Sequence, residues 1–275
     1  MRDPRRWAGL LLAVQILVAC GSPSNGPADE RTLNVFAAAS LRDVLTEVGT
    51  AFEKKNQVRL QFNFAGSNTL AQQISAAPVA DLFVSADESW IRFVEEKGLT
   101  VPGSRQRLFD NRLVLIANHQ ITNHQAPDPL NDLCELRRLD FRHFAVADPR
   151  AVPAGRYAKA HLSAVQCQGE NLWTTLRENL VPTLDVRAAM ALVEGDSEIV
   201  GMVYKTDAAT SNKVRVLYEL PFSAQVPISY WATIIRNDKG EGSAQLFLDF
   251  MTGPEGRRIA GNAGFMLTPT SAAHK

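Results

Sequence analysis

The sequence predicts an α/β protein, and three observations carry that reading. Strand-like apolar runs alternate with stretches of helical period along most of the chain. Several helices start directly after a strand, led by a serine, a proline or an aspartate. The composition is that of an ordinary globular chain, with 275 residues, 45% of them hydrophobic, and 29 basic against 29 acidic side chains. That length allows one large domain or two small ones. A formal net charge of zero gives no basic excess for nucleic acid and little long-range steering, so any anion site must be local.

Residues 1–19 read as an export leader rather than as part of the fold. Arg2, Arg5 and Arg6 make a basic start, and residues 10–19 form an apolar run too short to span a bilayer. The run ends Leu17-Val18-Ala19-Cys20-Gly21, which resembles a bacterial lipoprotein cleavage site with Cys20 as the lipidated first residue. The alternative is an ordinary secretory leader with an incidental cysteine. Residues 20–30, rich in Ser, Pro, Gly and Asn, read as a flexible tether. Export implies an oxidising compartment, which allows a disulfide between the remaining Cys134 and Cys167. Two buried thiols are the alternative. No ligand-spaced histidine or cysteine accompanies them to suggest a metal.

In chain order, strands are expected at 33–38, 58–64, 81–85, 112–118, 144–147, 199–204, 214–220 and 228–236. Helices are expected at 41–55, 69–76, 88–97, 156–165, 171–179, 186–193 and 243–251. The first junction sets the pattern. The strand ending Phe36-Ala37-Ala38 runs through Ala39 and Ser40 into a helix with Leu41, Val44, Leu45, Val48 and Phe52 on one face. Ser40 is placed to cap it, with Asp43 three residues on. Gly66-Ser67-Asn68 follows the second strand, Pro153-Ala154-Gly155 opens a helix after the strand at 144–147, and Asp185-Val186-Arg187 opens another. Helix starts present unpaired N–H groups and partial positive charge, and in an open α/β sheet they lie at the carboxyl ends of strands, where ligands bind. Several such starts could surround one small anion. For any one of them alone, a plain capping role explains the residues as well.

The phrases Val35-Phe36-Ala37-Ala38-Ala39-Ser40-Leu41, Ala80-Asp81-Leu82-Phe83-Val84-Ser85-Ala86-Asp87, Val152-Pro153-Ala154-Gly155-Arg156-Tyr157 and Gly201-Met202-Val203-Tyr204 stand in register with one another. Together they resemble the periplasmic molybdate-binding proteins of molybdate ABC transporters, over about residues 33–268. The resemblance implies a two-lobed periplasmic binding protein fold of type II. Each lobe would be a mixed, mainly parallel sheet flanked by helices, and a two-strand hinge would join them. Lobe I would hold 31–110 plus 227–275 and lobe II 111–226, with crossings near 108–112 and 225–229. Ser40 and Ser67 would each give a hydroxyl and a backbone N–H to the ligand, Ala154 and Val186 backbone N–H groups, and Tyr204 its phenol.

The implied function is capture of molybdate, and of tungstate, by an exported, lipid-anchored monomer that delivers it to a membrane permease. No cofactor is implied, and no free metal cation, since molybdenum enters as the oxyanion. Two other readings stay open: a binding protein for another tetrahedral oxyanion such as sulfate, and a hydrolase using Ser40 or Ser67. Neither serine stands in the Gly-x-Ser-x-Gly pattern of a nucleophile elbow, and no histidine is spaced to serve it. Asp81, Asp87 and Asp148 read as turn residues, and Arg156 and Lys159 as a solvated helix face.

Overall fold

A computed structural model describes residues 31–121, 129–223, 226–237 and 241–268. The expected leader and tether, with Cys20, lie outside the described residues. The elements run β1 (Arg31–Ala38), α1 (Arg42–Glu53), β2 (Val58–Ala65), α2 (Ser67–Ala76), β3 (Leu82–Ser85), α3 (Glu88–Glu96), β4 (Gln106–Asn111) and β5 (Leu113–Asn118). They continue β6 (His143–Ala147), α4 (Pro153–Ala164), β7 (Gln166–Cys167), β8 (Glu170–Asn171), α5 (Leu172–Thr175), β9 (Leu180–Thr183) and α6 (Val186–Gly195). The last are β10 (Ile199–Tyr204), α7 (Lys205–Ala208), β11 (Val214–Glu219), β12 (Ile228–Ile234), α8 (Glu241–Thr252), α9 (Pro254–Asn262) and β13 (Met266–Leu267).

Two sheets organise the molecule. One is six-stranded, in the order β13-β4-β12-β3-β1-β2, and the other five-stranded, in the order β11-β5-β10-β6-β9. The chain passes from the first sheet to the second between β4 and β5, at Arg112, and returns between β11 and β12. The central strands are apolar throughout: β3, β5 and β10 are buried at every position, as expected of strands covered on both faces by helices.

The pairing differs from a mainly parallel arrangement. β1–β2, β1–β3, β6–β10 and β6–β9 are parallel. β3–β12, β4–β12, β4–β13, β5–β10 and β5–β11 are antiparallel. The βαβ units make the parallel pairs through their helices. The strands that carry the chain between the sheets arrive from the other side and add antiparallel. The helix expected over 171–179 is also broken. It becomes the end of β8, then α5 and a 3-10 turn at Arg177–Asn179, which runs directly into β9. Cys134 and Cys167 form a disulfide with Cα atoms 5.6 Å apart, tying the 3-10 turn Leu133–Arg138 to β7.

Candidate functional site

Four helical starts meet between the two sheets, each just past the carboxyl end of a parallel strand: after β1, β2, β6 and β9. They line a small, tight cleft. Ala38, Ala39, Ser40, Gly66, Ser67 and Ala86 form the side from the six-stranded sheet. Val152, Pro153, Ala154, Asp185, Val186 and Tyr204 form the other. The cleft thus brings together Ser40, Ser67, Ala154, Val186 and Tyr204, each at most 4% exposed. A larger open groove between α1 and α9 is edged by Lys54, Lys55, Glu255 and Arg258. It is a surface of long side chains of both signs, with Lys55 paired to Glu255.

Ser40 does not cap α1. It sits inside a 3-10 turn, Ala39–Leu41, that precedes the helix, and no side chain caps either start. Its hydroxyl instead accepts a hydrogen bond from the Tyr230 phenol at 3.0 Å. Ser67 is the first residue of α2, after Gly66, and its hydroxyl accepts the Ala86 N–H at 3.0 Å. Each serine oxygen therefore already receives a proton from its own side of the cleft and keeps its own proton to donate.

On the opposite side, Ala154 lies behind a proline-led first turn and Val186 opens α6, so their N–H groups have no partner inside their helices. Gly155 lets α4 begin close to β6: a Cβ there would lie 1.9 Å from the Ala147 carbonyl oxygen. Asp185 caps α6, accepting the Ala188 N–H at 2.9 Å, which turns that oxygen away from the cleft. The Tyr204 phenol is buried with no hydrogen-bond partner among the described residues. Burial, with Tyr230 alongside, pushes its pKa well above the usual tyrosine value, so it remains a donor. Apart from the second Asp185 oxygen, the polar groups of the wall are donors: hydroxyls, a phenol and helix N–H groups. Such a set fits an anion with only lone pairs to offer, and an orphaned buried phenol is costly unless something accepts from it.

Several bonds cross the cleft. Trp90 Nε1 donates to the Ala151 carbonyl at 3.0 Å, and Tyr157 to the Ala86 carbonyl at 3.4 Å. Arg156 is exposed on α4, as expected, and also reaches across to Asp87 at 3.0 Å and to Ser89 at 2.7 Å. Asp87 in turn caps α3 through the Trp90 N–H. Arg187 pairs with Asp207 at 2.6 Å within its own half and with Asp43 of the other half. Burial pushes the Asp207 carboxyl up to about 7 against the pull of Arg187. Asp81 and Asp148 have local roles: Asp81 accepts the Asn34 N–H at 2.6 Å, and Asp148 holds Arg150. Tyr230, Asp207 and the cross-cleft arginines carry no local signal in the sequence, because their partners are remote along the chain.

A protein with a donor-lined cleft between two α/β sheets, crossed twice by the chain, is a solute receptor in its architecture. The chain belongs to the family of bacterial extracellular solute-binding proteins, which matches residues 33–266. It is 34% identical over 264 residues to the molybdate-binding protein ModA of Escherichia coli (strain K12), covering 96% of this chain and 99% of that one. It is 33% identical over 234 residues to the ModA of Haemophilus influenzae, covering 85% and 89%. The periplasmic molybdate-binding protein of Azotobacter vinelandii shares the fold, with a TM-score of 0.69 at 23% identity, over 86% of this chain and all of that one. Among the described residues no helix is long and apolar enough to cross a membrane.

Proposed function

We propose that this protein captures molybdate, and tungstate with it, and hands it to the permease of an ABC transporter. The observation that supports this most is the Tyr204 phenol, buried without a partner and facing the same small cleft as the Ser40 and Ser67 hydroxyls. Ser40 and Ser67 each donate a hydroxyl and a backbone N–H, Ala154 and Val186 backbone N–H groups, and Tyr204 its phenol. On this reading no cofactor, free metal cation or catalytic step takes part; among the described residues the hydroxyls of Ser40 and Ser67 are hydrogen-bonded to Tyr230 and the Ala86 N–H, not to a histidine or a carboxylate. The crossings at Arg112 and ahead of β12 act as the hinge between lobes, and the cross-cleft bonds hold the closed state. On this reading the protein works as a monomer, anchored to the cell envelope membrane by lipid on Cys20.

Molybdate and tungstate should bind first, sulfate far behind and phosphate weakest. Sulfate is also a bare dianion but a smaller tetrahedron, while phosphate near neutral pH carries a proton that a donor wall cannot accept. Isothermal titration with the four anions, together with elemental analysis of the protein as purified, tests the assignment. Sulfate binding as tightly as molybdate would make this a sulfate receptor. Absence of heat with every oxyanion would sink the reading altogether.

A further inference from the structure

We propose that Asn111 and Tyr230 form a one-way hydrogen-bond relay that forces Ser40 to act as a donor to the cleft, and that this relay sets selectivity against anions carrying a proton. The inference rests on the oxyanion reading above and assigns positioning roles to residues that do not line the cleft.

The direction of the relay is fixed at its far end. Asn111 closes β4 where the chain leaves the first sheet, and the next residue's N–H, that of Arg112, donates to Asn111 Oδ1 at 2.8 Å. A backbone N–H can only donate, so the amide oxygen must face it and the amide nitrogen must face the other way. That nitrogen donates to Thr206 Oγ1 at 2.9 Å and, through a longer contact, to the Tyr230 phenol at 3.4 Å. A phenol has one proton. With its oxygen facing an N–H, that proton goes to Ser40 Oγ at 3.0 Å. Ser40, receiving there, has its own proton left for the cleft.

The Tyr230 ring is held too firmly to choose another partner. It is fully buried and wedged among Phe109, Tyr204 and Phe265, with ring centroids 5.4 to 5.8 Å away. Burial, with the Asp207 carboxylate nearby, raises its pKa, so the phenol keeps its proton. Ser67 reaches the same state by a shorter route, because the Ala86 N–H donates to it directly. Both cleft serines thus trace back to a backbone N–H, a group whose polarity cannot reverse. A serine without such a lock rotates, and can accept from a protonated oxygen as readily as it donates to a bare one.

Tyr230→Phe removes the lock on Ser40 and leaves Ser67 locked. Competition titrations at pH 7 would compare molybdate, sulfate and phosphate for the parent, Tyr230→Phe, Ser40→Ala and the double variant. The relay predicts that phosphate gains about tenfold relative to molybdate in Tyr230→Phe, with the molybdate-to-sulfate ratio unchanged. The gain should vanish in the double variant, where no Ser40 hydroxyl is left to accept. Asn111→Ser withdraws the amide donor while leaving Tyr230 in place. It offers a second route to the same shift should Tyr230→Phe melt far below the parent. An unchanged phosphate-to-molybdate ratio in folded Tyr230→Phe or Asn111→Ser, with the parent binding molybdate, overturns the relay. A parent that binds no oxyanion overturns the underlying function instead.

Discussion

The two sides of the cleft are built on different principles. On the side of the six-stranded sheet two side-chain hydroxyls join the backbone donors, and each is held by a hydrogen bond made within that side: Ser40 by Tyr230 and Ser67 by the Ala86 N–H. On the other side the backbone does most of the work at the starts of α4 and α6, and the one side-chain donor, Tyr204, has no partner. The first side holds both of its hydroxyls, although Asn68 Oδ1 is buried there without a partner among the described residues. The second carries a buried donor, the Tyr204 phenol, which an anion bound as proposed would satisfy. Preorganisation on one side lowers the ordering cost of binding, and unmet demand on the other makes closure over a ligand favourable.

The largest effect should come from disturbing the backbone side. A Cβ at Gly155 would lie 1.9 Å from the Ala147 carbonyl oxygen and 2.7 Å from its carbon, so the first turn of α4 must move. Gly155→Ala should weaken molybdate binding by about a hundredfold or more, through loss of charge-assisted bonds, and cost about 1–3 kcal/mol in stability through overpacking. Gly66 provides the contrast on the other side. A Cβ there meets the Asn68 side chain at 2.7 Å and the Leu184 carbonyl, across the cleft, at 2.9 Å. Gly66→Ala should therefore hinder closure with little change in melting temperature. Titration and thermal melts on both variants check this, and equal melting shifts would erase the distinction.

Next come the side-chain donors, where the two sides should differ in sign. Ser67→Ala should weaken molybdate by about ten- to a hundredfold and destabilise the ligand-free protein, because the buried Ala86 N–H loses its acceptor. Tyr204→Phe should weaken binding by about tenfold yet leave the ligand-free protein as stable as the parent or more so, since an unpaired buried hydroxyl is removed. A large drop in melting temperature for Tyr204→Phe without ligand would show that its phenol has a partner, and the contrast would fail.

Much of this was legible in the sequence, and what was not has a common cause. Period-2 and period-3.6 patterns marked the central strands and α1, α2, α3, α4 and α6, because burial on a sheet writes itself into local spacing. The inner strand β4, the short edge strand β13 and the helix α9 were missed. Short, half-polar segments owe their structure to partners far along the chain. Five residues of the cleft lining could be named through the family resemblance of the motifs at each helix start; spacing alone did not show them. The supporting layer could not be named, since Tyr230 lies 190 residues from Ser40 and 119 from Asn111. Ser40 shows the limit within a motif: its type suits a cap, but the tight 3-10 turn ahead of α1 turns its hydroxyl to Tyr230 instead.

Asp207 offers a pH-dependent contrast with the exposed carboxylates. Its pKa rises from 3.8 to about 7, chiefly through burial. A carboxyl whose folded pKa is raised binds its proton more tightly when folded. Its contribution is complete below the unfolded value and is lost as pH rises through the folded one. Between about pH 4 and pH 7 the parent should therefore lose stability relative to Asp207→Asn, by roughly 5–10 °C in melting temperature, and the difference should level off above that. Parallel melting curves for the two proteins from pH 5 to 8 would show that Asp207 stays ionised beside Arg187.

The smallest effect should come from the contact that joins the two sides at the surface. Arg187 is anchored within its own half by Asp207, which is fully buried, and reaches Asp43, whose side chain is 54% exposed. An exposed ion pair contributes about 0–1 kcal/mol, and here that contribution exists only while the cleft is closed. Asp43→Asn should thus lower molybdate affinity by no more than about fivefold without altering the melting temperature of the open protein. Exposed pairs are screened by ions over about 8 Å at physiological ionic strength and over about 3 Å at 1 M, so the difference from the parent should shrink as salt is raised. Titrations of both proteins at low and high salt measure this. A loss well beyond tenfold, or one indifferent to salt, would mean that closure depends on the arginine bridge more than on the bound anion. The division between a preformed side and a ligand-satisfied side would then have to be redrawn around Arg187.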